Sequence, residues 1–197
     1  MCHLIESVKI NNGIAENLFW HNKRLNESRR LLYGIQEEIR LESFIHVPGH
    51  LQQGEVKCRI LYGKKIDTIE FKPYVFRPVR SLKIVTDNYI KYEHKYRDRS
   101  HINMLFEQKG ECDDILIVKN GLVRESSYCN VVFRDGNESF TPASPLLRGT
   151  KRAKHLLEGK IIEKEIKIEE IPGYQYLYLI NAFLDLGRCV ISTKNIF

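Results

Sequence analysis

Three Asn-Gly or Asp-Gly pairs constrain the fold of this chain more than any other feature of its sequence. Asn12-Gly13, Asn120-Gly121 and Asp135-Gly136 each separate two short runs in which apolar residues are frequent. Such pairs favour the tight turns of β-hairpins, because both residues readily adopt the positive φ that these turns require. The segments around them, of which "DDILIVKNGLVRES" is the clearest, therefore predict antiparallel strands.

Helical segments alternate with these hairpins. Apolar residues recur at helical spacing in 21–34, 36–46 and 100–110, and these segments end at Gly34, at His-Val-Pro-Gly and at Gly110. Ser100 is the predicted N-cap of the third helix, and a fourth, short helix is predicted in 146–159. Further strands are predicted in 55–63, 67–74, 81–85 and 164–183. This mixture predicts the α/β (α+β) class.

A proline-rich stretch indicates where the chain divides. "KPYVFRPV" contains Pro73 and Pro78, which favour extended backbone and interrupt regular structure. We therefore place a domain boundary near Arg77. The prediction is a small N-terminal α/β domain over 1–77 and a larger, mostly antiparallel domain over 78–197.

Composition narrows the class of protein. At 197 residues with 43% apolar residues, the chain is long enough to bury a core. Its formal charge of +6 favours anionic ligands in general. No apolar run reaches the roughly 20 residues needed to span a bilayer, and the N-terminus lacks a signal peptide's apolar region. The expected location is the cytoplasm, without a membrane partner.

The cysteines show no framework or metal-binding pattern. They are odd in number, widely spaced and free of Cys-x-x-Cys motifs: Cys2, Cys58, Cys112, Cys129 and Cys189. A disulfide framework or a zinc site is therefore not expected.

The stretch "HKYRDRS", 94–100, is the most polar part of the chain and allows several interpretations. A lysine in such surroundings is usually solvated. Basic residues next to tyrosines also occur in nucleic-acid contacts, but no recognition motif accompanies them and acidic residues intervene, so no nucleic-acid partner is expected. A third interpretation is that Lys95 performs chemistry.

Five motifs in a fixed order favour the third interpretation. They are "HNKRL" from His21, the lysine of "HKYRDRS", "ESSYCNVVF" from Glu125, "TPASPLLRGTKR" from Thr141 and "LINAF" from Leu179. In this order they resemble the class IV, fold-type IV, pyridoxal-phosphate (PLP) enzymes, which include branched-chain and D-amino-acid aminotransferases and 4-amino-4-deoxychorismate lyase. The resemblance implies two α/β domains, the C-terminal one barrel-like, with PLP between them, and a homodimer.

The resemblance also assigns roles to individual residues. Lys95 would hold PLP as a Schiff base, for which its amine must be neutral, because only a neutral amine attacks a carbonyl. Once the substrate has displaced it, the free Lys95 amine would act as the catalytic base. Glu125, five residues before Asn130 in the cofactor site, would keep the pyridine nitrogen protonated. Arg24 would bind the 5′-phosphate, because its planar fork of donors suits that group.

Further phosphate contacts are expected at the start of a helix. Gly149 precedes it, and the backbone N–H groups of Thr150 and Lys151 could point at an anion, assisted by the Thr150 hydroxyl. Asn181 lies where aminotransferases of this class often have a hydroxyl residue, and its Asn-Ala pair is more similar to the deoxychorismate lyases.

The substrate pocket is the least defined part of the site. The chain begins at the strand "LIESV", so the family's first ~30 residues, which contribute to that pocket, are expected to be absent. Ser7, Arg59 and Tyr62 are the candidates for substrate contact.

Three hypotheses for the function stay open: two enzymes and one binding protein. An aminotransferase acting on an amino acid is the first hypothesis, and a lyase that releases pyruvate and 4-aminobenzoate from aminodeoxychorismate is the second. A degenerate relative that binds PLP without turnover is the third.

Overall fold

The computed structural model describes residues 3–197, which divide into two compact units. The first comprises residues 3–76 together with His94–Asp98, and the second comprises Arg77–Glu93 together with Arg99–Phe197. Cys2 lies outside the described residues. The mixed α/β class is confirmed, whereas the arrangement as two domains stays a prediction.

The first unit is one sheet with a helix. Strands β1 (Leu4–Asn11), β2 (Ile14–Ala15), β3 (Glu55–Tyr62) and β4 (Ile66–Pro73) pair antiparallel in the order β2-β1-β3-β4. Helix α1 (Leu18–Tyr33) ends at Gly34, whose φ of 69° closes the last turn.

Alternation along β1 and β3 produces the core of this unit. On β3 every second residue is buried, starting from Val56, while Glu55, Lys57 and Arg59 face the other side. A strand with this period buries one face only. The buried side chains are Leu4, Val8, Ile10, Leu25, Leu41, Val56, Cys58, Ile60 and Tyr62.

The second unit contains two sheets. In the first, β5 (Leu82–Thr86) lies parallel to β6 (Asp114–Lys119), and β6 pairs antiparallel with β7 (Leu122–Ser126). The turn between β6 and β7 is the predicted one, with Asn120 at φ 54° and Gly121 at φ 73°. Helix α2 (Ser100–Phe106) precedes β6.

The second sheet of this unit has five strands in the order β10-β9-β8-β11-β12. They are β8 (Asn130–Asp135), β9 (Glu138–Pro142), β10 (Ile162–Lys164), β11 (Tyr176–Ile180) and β12 (Val190–Ser192). Only the β9–β10 pair is parallel among the pairs of this sheet in the described residues. Helix α3 (Thr150–Leu157) lies between β9 and β10 in the chain.

The helix predicted in 36–46 is wrong. This segment contains only a 3₁₀ turn at Leu41–Ser43. Side chains of α1 take the backbone groups that a helix would use: Asn26 bonds both the N–H and the carbonyl of Ile39, and the Asn22 carbonyl accepts from the N–H of Leu41. Competition of this kind between side chains and backbone holds a chain outside regular structure.

Two smaller expectations also need correction. Arg99, not Ser100, occupies the N-cap position of α2, and no side chain caps that helix. In 164–183 the chain forms a 3₁₀ helix at Ile168–Gly173, so the first of the two strands predicted there is limited to the end of β10.

Candidate active site

Lys95 lies on a segment that is fixed to β1. The N–H of Ile5 donates to the carbonyl of Lys95 and the N–H of Arg97 donates to the carbonyl of His3, both at 2.9 Å. Tyr96 forms a bridge to Leu4. Because the backbone from the Lys95 carbonyl to the Arg97 N–H is hydrogen-bonded to residues 3–5, the partly buried Lys95 side chain starts from a defined place.

A buried ionic cluster occupies the same unit. The Glu6 carboxylate is fully buried and accepts from both Nε and Nη2 of Arg24, at 2.8 and 2.5 Å. His21 Nδ1 lies 2.6 Å from Glu6 Oε2. His21 and Arg24 are three residues apart on α1, so they share the face that covers β1.

Electrostatics fixes the charge state of this cluster. Burial alone would raise the pKa of Glu6, but Arg24 and His21 outweigh it and lower that pKa to about 2. Burial lowers the pKa of His21, although Glu6 opposes the shift, and the charge of Lys95 lowers it further. The cluster therefore combines a carboxylate and a guanidinium with a neutral imidazole.

The sequence motifs indicated Arg24 but not Glu6 and His21, which hold its side chain in place. The position of Glu6 was a signal for this cluster, because a glutamate at an inward position of an apolar strand needs a buried cation. Arg24 is only 14% exposed, and its guanidinium plane is set by Glu6. The phosphate role of Arg24 stays a prediction.

The three substrate candidates do not come together. Ser7 and Arg59 are paired across β1 and β3, on the face opposite to the core, and Arg59 lies 4.0 Å from Glu70. Tyr62 belongs to the buried core of the unit. Its position favours packing, and burial raises its pKa far above the usual range.

In the second unit, the Glu125 carboxylate accepts from two neutral donors. Its Oε2 accepts from the backbone N–H of Leu147 at 2.9 Å and from the side-chain amide of Asn130 at 3.2 Å. Asn130 also donates to the Leu147 carbonyl at 2.9 Å. These bonds tie the end of β7, the start of β8 and the loop before α3 to one carboxylate.

Gly149 is required by the same arrangement. A Cβ atom at this position would lie 2.0 Å from Oδ1 of Asn130. Its φ of −67° is ordinary, so the need for glycine is steric. The close approach brings the first turn of α3 next to the residue that orients Glu125.

The first turn of α3 presents backbone donors. Thr150 and Lys151 are the first two residues of this eight-residue helix, and no side chain caps its N-terminus. Such N–H groups carry the positive end of the helix dipole. The Lys151 side chain points elsewhere, because its ammonium lies 3.1 Å from Asp185.

Asn181 builds a turn. Its Oδ1 accepts from the N–H groups of Phe183 and Leu184, at 2.8 and 3.0 Å, while its amide donates to the Cys129 thiol. The side chain thus has partners within its own unit, and its predicted contact with the cofactor stays a prediction.

These residues fit the groups of PLP. A partly buried lysine, a carboxylate held by neutral donors, an arginine and a helix N-terminus supply the donors and charges that an aldehyde, a pyridine N–H and a phosphate require. The described residues contain no group of three side chains that could hold a metal ion, and none of their helices is long and apolar enough to cross a membrane.

A family model and a related protein agree with this fit to PLP. The model of the class IV amino-transferases matches residues 3–190. An uncharacterized protein of Haemophilus influenzae is 40% identical over 184 residues, which cover 92% of this chain and 98% of that protein.

Solved structures show the same fold. A Haemophilus somnus protein provisionally named a 4-amino-4-deoxychorismate lyase superposes with a TM-score of 0.89 at 35% identity, over 94% of this chain and 98% of that one. A hypothetical aminotransferase of Mycobacterium tuberculosis in its PLP-bound form gives 0.78 at 16% identity, over 98% and 81% of the two chains.

Fold and donor set together define a PLP-dependent enzyme of fold type IV. The chain belongs to the class IV aminotransferase family. The predictions of the family, of an enzyme and of PLP as its cofactor are confirmed, whereas the individual site residues stay predictions.

Proposed function

We propose that this enzyme carries PLP on Lys95 and removes a proton from an amino compound, with 4-amino-4-deoxychorismate as the substrate. The observation that carries the choice of substrate is the 35% identity to the Haemophilus somnus protein with that provisional name, over almost the full length of both chains. The Asn-Ala pair at Asn181 supports it. Sequence motifs alone place an aminotransferase first, and this neighbour reverses the order.

Each residue has a defined task in this proposal. When bound, PLP supplies an aldehyde that captures the substrate amine and a cationic ring that withdraws electrons. The Lys95 amine takes the proton from the substrate and returns it later. Glu125 holds the proton on the ring nitrogen, since a carboxylate beside an N–H stabilises its charged form.

Binding of the phosphate would use charge and backbone donors. Arg24 offers a guanidinium that Glu6 already orients, so little side-chain entropy is lost on binding. The N–H groups of Thr150 and Lys151 add donors at the start of α3. Ser7 and Arg59 remain candidates for substrate contact, because they share a surface of the first unit.

The lyase reaction balances without a second substrate. Aminodeoxychorismate splits into 4-aminobenzoate and pyruvate, and these two products together contain all its atoms. A transaminase instead needs a 2-oxo acid to accept the amino group. The second candidate, an aminotransferase, is favoured by the family model that matches the chain.

The first test concerns the covalent link to Lys95. Purified protein with added PLP should absorb near ~420 nm, and borohydride should fix the cofactor to the chain. Lys95→Ala should lose both properties, and Lys91→Ala, four residues away and exposed, should keep them. Loss in Lys91→Ala, or fixation in Lys95→Ala, would contradict the assignment.

The second test separates the two reactions. Protein with PLP is incubated with aminodeoxychorismate alone, and in parallel with L- and D-amino acids plus 2-oxoglutarate. Formation of 4-aminobenzoate and pyruvate in the first reaction supports the lyase. Glutamate formation in the second without products in the first supports the aminotransferase, and failure of both would leave a PLP-binding protein without turnover.

The homodimer expected from the family is also a proposal. Size-exclusion chromatography with light scattering should give twice the chain mass of 23.2 kDa, with and without PLP. A mass of one chain under both conditions would contradict it.

A further inference from the structure

Helix α3 buries three basic side chains, and each of them meets a carboxylate from outside the helix. Lys151 and His155 both meet Asp185, at 3.1 and 2.8 Å, and Arg152 meets Glu163 at 2.6 Å. The three basic side chains are at most 7% exposed. The Lys151 and Arg152 charges need such partners, because an uncompensated charge is costly away from water. Burial lowers the pKa of His155, although Asp185 opposes the shift.

Asp185 belongs to the turn that Asn181 organises. Asn181 Oδ1 caps the N–H groups of Phe183 and Leu184, and Asp185 Oδ1 accepts from the N–H of Leu186 at 3.0 Å. One carboxylate therefore shapes the turn 181–187 and also contacts α3 at two positions one helical turn apart, Lys151 and His155.

We infer that Asp185 is a positioning residue that holds the turn 181–187 against the first turn of α3. This inference rests on the proposed function, in which the N–H groups of Thr150 and Lys151 bind the phosphate, and on the predicted contact of Asn181 with the cofactor. The first turn of α3 and the turn 181–187 must keep a fixed separation for one cofactor molecule to contact both. Asp185 supplies that constraint without touching the ligand.

The loss of charge and the loss of position predict opposite changes in phosphate affinity when Asp185 is replaced. Asp185 is negative, so its removal leaves the protein more positive near the start of α3, and attraction alone would strengthen phosphate binding. Loss of the fixed position of the turn 181–187 would weaken phosphate binding. The direction of the change in affinity therefore separates the two effects.

The experiment compares PLP with pyridoxal, which lacks the phosphate, on the protein freed of cofactor. Asp185→Ala should weaken PLP binding about 10-fold, the cost of one charge-assisted hydrogen bond. Pyridoxal affinity should change by less than about 2-fold. Asp185→Asn keeps the shape and one acceptor, and should fall between wild type and Asp185→Ala.

Glu163→Ala is the matched control. Its carboxylate is also about half exposed and also pairs with a buried cation of α3, but Glu163 lies on β10 and not on the turn. The Glu163→Ala variant should leave the ratio of PLP affinity to pyridoxal affinity unchanged. Because Asp185 itself is 58% exposed, its variants are expected to fold.

Amide hydrogen exchange provides a second readout that does not depend on PLP. Peptides covering 181–187 should exchange faster in Asp185→Ala than in wild type and in Glu163→Ala. Unchanged exchange in this segment would overturn the inference, as would PLP affinity that stays the same or rises. Equal losses for PLP and pyridoxal would also overturn it, since they indicate general damage.

The failure of the proposed function gives a different pattern. If wild type binds PLP no more tightly than pyridoxal, the phosphate site is wrong, and the phosphate part of this inference is overturned with it. The exchange data then still decide whether Asp185 fixes the turn.

Discussion

Two buried glutamates, one in each compact unit, are held in opposite ways. Glu6 in the first unit accepts from a guanidinium and lies against an imidazole, and its pKa falls to about 2. Glu125 in the second unit accepts from the neutral amide of Asn130 and the neutral N–H of Leu147.

This difference suits two different tasks. An ion pair with a buried cation cancels most of the field of Glu6, so Glu6 serves mainly to stabilise and orient Arg24. Two neutral donors orient the Glu125 carboxylate, and in the proposed function this carboxylate acts on a cationic group of the ligand. Burial alone therefore does not distinguish these two carboxylates, whereas the donors that orient them do.

The largest expected effect is on stability, in Glu6→Gln. The substitution leaves the Arg24 guanidinium without its buried counter-charge, and it should lower the free energy of unfolding by about 3 kcal/mol or more. Urea denaturation measures this. Glu70→Gln removes an exposed glutamate that pairs with Arg59 in the same unit, and it should cost less than about 1 kcal/mol.

The pH dependence sharpens this prediction. The folded pKa of Glu6 is below its ordinary value of 4.5, so the stability it contributes is fully present above pH 4.5 and is lost as pH falls towards about 2. The difference in unfolding free energy between wild type and Glu6→Gln should be constant above pH 4.5 and shrink below it. A difference that grows at acid pH would contradict the ion pair.

Glu125→Gln should affect turnover more than stability. Gln keeps the shape and one acceptor but cannot hold a proton on the pyridine nitrogen, and we expect turnover to fall about 100-fold or more. Turnover is measured on the substrate found by the screen described above, together with thermal unfolding.

Asp114→Asn is the control for Glu125→Gln. Asp114 is another buried carboxylate of the second unit, and burial raises its pKa despite its hydrogen bonds, so neutralising it is easier. Turnover in Asp114→Asn should stay close to wild type. An equal loss in both variants would show that any buried acid of this unit has the same effect.

The smallest effect is expected for Gly149→Ala. The added Cβ would lie 2.0 Å from the Asn130 side chain, which cannot move without releasing Glu125, and overpacking of this kind costs about 1–3 kcal/mol. Urea denaturation again provides the measurement. Gly173→Ala, with no atom within 4 Å of its Cβ and no positive φ, should be close to neutral. Equal stability of wild type and Gly149→Ala would show that Asn130 is not fixed.

Local signals in the sequence predicted most of the fold. The Asn120-Gly121 and Asp135-Gly136 turns lie between strands as expected, and α1 ends at Gly34. The error in 36–46 has a different origin. Its apolar spacing is helical, but Asn22 and Asn26 of α1 take its backbone groups, and no local pattern reveals bonds to residues more than ten positions away.

For the site, the motifs identified residue types but not their supports. Lys95 and Glu125 stand out through the order of the family's motifs. His21 and Glu6 belong to quoted segments, yet their contact joins residues fifteen apart, and it depends on the side of β1 that α1 covers. Asp185 belongs to no motif, because its role depends on a helix that starts thirty-five residues earlier.

The sequence by itself determined the class of fold, the family and the cofactor, because turn chemistry, periodicity and motif order are local properties of the chain. Tertiary structure decided which donors each buried acid meets. Glu6 meets a cation and Glu125 meets amides because distant segments pack against them. The strength of a buried charge depends on those neighbours, which strand pairing and helix packing alone bring together.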